Sequence, residues 1–151
     1  GLEFETSIKS DTTSLNGIAE RIFHASKNIH VLRDPTRGGL ATTLNELSQS
    51  AGVGMIIDEE KIPVSEEVRG ACEILGLDPL YIANEGKLVI ILPEDESDKV
   101  LKVMKDHPAG RDAAIIGRIA SEHPGIVRMT TSIGSSRIID MLTGDQLPRI
   151  C

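Results

Sequence analysis

Three short stretches of the 151-residue chain carry residue types that do chemistry: "RDPTRGGL" at 33–40, "YIANEGKLVI" at 81–90 and the terminal "GDQLPRIC" at 144–151. In the first, Pro35 keeps Asp34 out of helical geometry. Gly38 and Gly39 let the backbone turn tightly and approach a ligand. A helical pattern follows, so its first N–H groups can face an anion with Arg37 beside them. The competing reading is a plain capping turn, in which Asp34 or Thr36 caps the helix and Arg37 pairs with a surface acid. In the second stretch, Asn84, Glu85 and Gly86 stand at the mouth of an apolar strand. A carboxylate buried there would have a pKa raised toward neutrality and act as a general base. A surface turn with an exposed glutamate fits the same letters.

The third stretch ends on a thiol. Gly144 to Cys151 reaches up to ~25 Å when extended. Pro148 stiffens it and Ile150 supplies one apolar anchor. The terminal carboxylate raises the pKa of the Cys151 thiol, and Arg149 acts in the opposite sense. A frayed terminus is the plain alternative, although an exposed free cysteine is an oxidation liability that needs a reason. The other cysteine, Cys72, lies on the apolar face of a helical pattern and reads as core. Histidines 24, 30, 107 and 123 are scattered, without a second ligand at metal spacing, so no metal site is expected from this chain.

The elements that position these stretches follow from hydrophobic periodicity. Leu15, Ile18, Ala19, Ile22 and Phe23 mark a helix over about 14–27, and "IHVL" (29–32) a strand running into the DPTRGG turn. Leu40, Leu44, Leu47 and Ala51 form the helix beyond the glycines, and "VGMII" (53–57) a strand. Ser65 before Glu66 and Glu67 signals a capped helix that Gly76 and Pro79 stop. "KLVIIL" (87–92) reads as a buried strand, and Val100, Leu101 and Met104 as a further helix. "AAIIGRIA", "GIVRMTT" and "SRIIDML" read as strands between turns. Helices interspersed with strands, and strands gathered at the end, predict an α+β domain with a mixed or antiparallel sheet packed with helices.

Composition sets the outer bounds. Aromatic residues are 2% of the chain and the formal charge is −7, which counts against nucleic-acid binding. No apolar run has membrane-spanning length. Two cysteines are too few for a disulfide scaffold and fit a cytoplasmic setting. The chain starts at Gly1 rather than Met, which suggests a piece of a longer or processed polypeptide.

In order, "SDTTSL", "RDPTRGGLATTLNEL", "GVGMIIDEEKIPV", "CEILGLDPLYIANEGKLV", "AAIIGRI" and "LPRIC" resemble the C-terminal domain of the HypE family of hydrogenase maturation factors. That family sits in the PurM-like, AIR-synthase-related superfamily of ATP-dependent enzymes. The resemblance covers essentially the whole chain. It implies a PurM C-terminal-domain-like fold over 1–143, partly similar to the ferredoxin-like fold, and a flexible tail over 144–151. An N-terminal domain absent from this chain would supply most of the ATP and Mg²⁺ site and the homodimer contact.

The resemblance also implies a reaction. A carbamoyltransferase partner, HypF, would load a carbamoyl group onto Cys151. ATP would drive its dehydration to an S-cyanate, and the cyanide would pass to iron through the HypC–HypD complex. Glu85 becomes the candidate base or proton relay. Asp34, Thr36, Arg37, Gly38, Gly39 and Asn84 become candidate walls of a nucleotide or tail channel, and Arg149 a guide for the tail. On that reading the isolated domain neither binds ATP well nor dehydrates anything. Two other functions remain open on residues alone: a superfamily synthetase acting on a purine precursor or selenide, and a non-catalytic docking module.

Overall fold

The computed structural model describes residues 10–142. Helix α1 (Asn16–Ala25) leads to strand β1 (Val31–Arg33), then helix α2 (Gly39–Ala51) and strand β2 (Gly54–Asp58). Helix α3 (Glu66–Leu75), strand β3 (Val89–Ile91) and helix α4 (Glu94–Lys105) follow, then strands β4 (Gly117–Ala120), β5 (Val127–Thr130) and β6 (Ser136–Ile139). The α+β class expected from the element order is what is found. A 3₁₀ turn at Pro79–Tyr81, with Asp78 as its cap, precedes the ANEGK segment.

There are two sheets among the described residues. β1 and β3 form an antiparallel ribbon, and the larger sheet has the order β4-β2-β5-β6. Its central pair, β2 and β5, is parallel, and both outer pairs are antiparallel. A parallel centre between antiparallel edges is also the strand-direction pattern of split βαβ sheets. One face of the sheet, carrying Met55, Ile57, Val127, Met129 and Ile139, closes on Ala41 and Leu44 of α2 and on Leu80. Val127 and Met129 are wholly buried; burying such a side chain contributes about 1.5–3 kcal/mol.

A second core joins Ile18 and Ile22 of α1 to Val100 of α4. The ribbon lies between the two cores. Val89 and Ile91 pack on the first, and Leu88, Ile90 and Leu92 on the second. Alternate residues of β3 therefore serve opposite cores, which is why "LVIIL" (88–92) is apolar on every position rather than on every other one. The same packing sets the site. Because β1 lies in this ribbon while α2 covers the larger sheet, the chain must reverse sharply between Arg33 and Gly39.

Candidate functional site

That reversal is made by two consecutive left-handed residues, Gly38 (φ 71°) and Gly39 (φ 62°). L side chains rarely adopt this conformation. Space forbids them as well. A Cβ on Gly39 would lie 2.5 Å from the carbonyl oxygens of both Leu80 and Ile82, and one on Gly38 would collide with the Thr42 hydroxyl. The glycines thus seat the start of α2 directly on the Pro79–Tyr81 turn.

The expected capping by Asp34 or Thr36 does not occur. The N-cap is Gly38, no side chain caps it, and the first turn of α2 holds no acid. Thr36 contributes only its backbone carbonyl, which accepts the Gly39 N–H at 3.3 Å. Asp34 is exposed. Arg37 is also exposed, and no carboxylate pairs with it among the described residues. The neighbouring Arg33 takes Glu46 instead. Among the described residues, no anion meets the positive end of the α2 dipole. Beside it the Thr42 hydroxyl oxygen is buried and has no hydrogen-bond partner among those residues.

Backbone contacts bring the ANEGK segment to the same turn. The Asn84 N–H donates to the Pro35 carbonyl at 3.1 Å. The Asn84 side-chain amide is spent locally, donating to the Ile82 carbonyl at 2.7 Å. The next N–H, on Glu85, donates to the Asp11 carboxylate at 3.2 Å, and the Lys87 ammonium lies 4.0 Å from the same carboxylate. Gly86 is pressed against the Asp11 backbone, where a Cβ would overlap the carbonyl oxygen. Three stretches distant in sequence, 10–15, 34–39 and 83–87, therefore meet.

Of the two readings of this stretch, Glu85 follows the surface turn: it is exposed and not buried at the strand mouth. Its backbone is fixed while its carboxylate faces outward. Asp11 and Thr42 were given no role in the sequence reading. Asp11 stands in a Ser/Thr-rich stretch without apolar period, and Thr42 in a helix whose sequence signal is its apolar stripe.

The remaining candidates stand apart. Cys72 is buried, and burial pushes its thiol pKa up, with the Asp78 carboxylate adding to the effect. The thiolate is the nucleophile, so this is an inert core thiol. It lines a cleft of about 410 Å³ with Leu77 and Leu80, crossed by the Arg137–Asp78 ion pair. No three His, Cys, Asp or Glu side chains gather to hold a metal among the described residues. No helix there is long and apolar enough to cross a membrane. Cys151 and Arg149 lie outside the described residues.

Comparison with known proteins adds three findings. Residues 10–129 match the family described as "AIR synthase related protein, C-terminal domain". The chain is 53% identical over 151 residues to carbamoyl dehydratase HypE of Azotobacter vinelandii, covering 100% of this chain and 44% of that protein. Two crystal structures are similar. One is HypE in complex with ATP, at 46% identity and TM-score 0.91, covering 99% of this chain and 46% of that one. The other is a HypE–HypF complex, at 47% identity and TM-score 0.88, covering 93% and 46%. The chain spans a little under half the length of these relatives.

Proposed function

The chain belongs to the AIR synthase related family through its C-terminal-domain type, and from that premise we propose that it is the C-terminal part of a NiFe-hydrogenase maturation protein of the HypE kind. Its terminal Cys151, on a tail of residues 144–151 beyond a domain of residues 1–143, carries a carbamoyl group that the full-length protein dehydrates with ATP. The observation that carries this reading is the uncapped start of α2, where no acid among the described residues pairs with Arg37 and the DPTRGG, ANEGK and SDTTSL segments converge.

The chemistry asks for such a place. HypF supplies the carbamoyl group, giving S–C(=O)–NH₂ on Cys151. The carboxamide oxygen attacks the γ-phosphorus of ATP and ADP leaves. Phosphate then departs from carbon as the two N–H protons are lost, giving S–C≡N, ADP and phosphate. The free N–H groups at the start of α2, with Arg37, stabilise the anionic oxygens. Gly38 and Gly39 make the reversal that presents this helix start, Thr36 lines the channel, and Asp34 and Asn84 order the turn. Glu85 takes the role of base or proton relay, facing the space that the remaining part of the protein covers. Arg149 guides the tail by pairing with an acidic groove or a phosphate.

ATP and its Mg²⁺ are held mostly by the N-terminal domain of the full-length protein. That protein works as a cytoplasmic homodimer and hands cyanide to iron on the HypC–HypD complex. The test is mass spectrometry of the C-terminal peptide of the full-length protein after incubation with HypF, ATP and carbamoyl phosphate. A carbamoyl adduct on Cys151 that loses water only with ATP is the expected result. Absence of any adduct would favour a superfamily synthetase with another substrate. Glu85→Gln should leave the carbamoyl adduct in place and block its dehydration.

A further inference from the structure

The chain leaves the last strand under unusual restraint. Asn45, on α2, is 4% exposed. Its side-chain amide donates to the Ile139 carbonyl at 2.8 Å and to the Ala41 carbonyl of its own helix at 2.9 Å. The next carbonyl along, that of Asp140, accepts the Tyr81 hydroxyl at 2.9 Å. Two consecutive carbonyls, on the last rung opposite Val127 and just after it, are thus each claimed by a side chain. The other end of β6 is held by Asp78, whose carboxylate accepts from the Arg137 guanidinium at 2.8 Å. All three holding residues lie on α2 or the Pro79–Tyr81 turn with its cap, the two elements that Gly39 locks together.

From this geometry we infer that Asn45 and Tyr81 are positioning residues for the carrier tail, fixing its point of departure on the same rigid unit that forms the DPTRGG turn. The inference rests on the carrier reading above. Asn45 lies six residues along α2 from Gly39, an axial rise of ~9 Å. Cys151 lies eleven positions after Asp140. Eleven residues fully extended reach at most ~38 Å. Reach is therefore ample, and the yield of productive visits is set by where and in which direction the tail starts. A tail leaving from a frayed strand end would search a wider volume around the same site.

A covalently attached carrier makes this testable, because the same site can be offered its substrate attached or free. In the full-length protein, Tyr81→Phe removes only the hydroxyl, and Asn45→Ala removes the buried donor. Single-turnover dehydration of carbamoylated Cys151 is followed by mass. In parallel, each substitution is placed in protein lacking Cys151, which is given a synthetic peptide of residues 143–151 bearing S-carbamoyl cysteine.

The expected result is a fall in the attached reaction of about threefold for Tyr81→Phe and about tenfold for Asn45→Ala. Turnover of the free peptide should stay within about twofold of the parent. Equal losses in both reactions would mean a distorted site and overturn the positioning role, as would no loss in either. Failure of the unsubstituted protein to form a carbamoyl adduct at all would instead overturn the carrier reading itself. If Asn45→Ala does not fold, the milder Tyr81→Phe decides alone.

Discussion

Helices α2 and α3 both follow short loops that contain a proline, Pro35 and Pro63, yet their first turns are finished in opposite ways. At α3 the Ser65 hydroxyl accepts the Val68 N–H at 3.4 Å, and Glu66 and Glu67 lie in the first turn. Its exposed N–H groups and its dipole are satisfied from within the sequence. At α2 neither device is present, and the chain passes through two left-handed glycines instead. The difference separates a helix start built for stability from one held open. In a chain of net charge −7, the second is a local concentration of positive potential that an anion can neutralise.

The contrast breaks most readily at the glycines. Gly39→Ala puts a methyl group against two backbone carbonyls, whereas Gly76, at the end of α3, has positive φ and nothing within 4 Å of an added Cβ. Urea denaturation should show a loss of about 3 kcal/mol for the first and about 1 kcal/mol for the second. Equal losses would show that conformation alone, without close packing, governs both. Next comes the charge. Arg37→Ala in the full-length protein should lower ATP-dependent dehydration about tenfold or more, with HypF-dependent carbamoylation and the denaturation midpoint unchanged. Arg69→Ala on α3 should alter neither activity.

Smaller effects sharpen the same comparison. Ser65→Ala should cost about 1 kcal/mol, and Thr36→Ala, which removes no cap, should stay within about 0.5 kcal/mol. The mildest test is alkaline. Burial, then the carboxylates of Asp78 and Asp140, push the Tyr81 hydroxyl pKa up. A group whose pKa is raised by folding adds stability that is complete below its ordinary value near 10 and fades as pH rises through the folded value. A denaturation series from about pH 9 upward should show this decline, and Tyr81→Phe should remove the Tyr81 component.

The elements were legible because their signals are local. Ser65 and Gly76 bracket α3 in both sequence and structure, and Pro35, Gly38 and Gly39 announce a reversal whatever surrounds it. The start of α4 was less visible. Its apolar stripe begins near Val100, but the helix starts at Glu94, where three acids favour the first turn without marking a face. At the site, the same letters allowed a capped turn or an open one, and only the approach of residues 80–82 decided between them. The exposure of Glu85 was not legible either, since burial belongs to the neighbours and not to the residue. The bonds from Asn45 and Tyr81 cross 94 and 59 positions of sequence, beyond the reach of any periodicity.

The parallel pair at the centre of the larger sheet has a consequence for how the domain forms. Met55 lies beside Val127, more than seventy positions away, with two helices and the whole of β3 in between. Closing so long a loop comes before any reward from the contacts it makes. The main core therefore waits for β5 and β6, while the α1–α4 core, complete by Lys105, can assemble earlier. On the ribosome this would make the unit that launches the tail among the last parts of the domain to form.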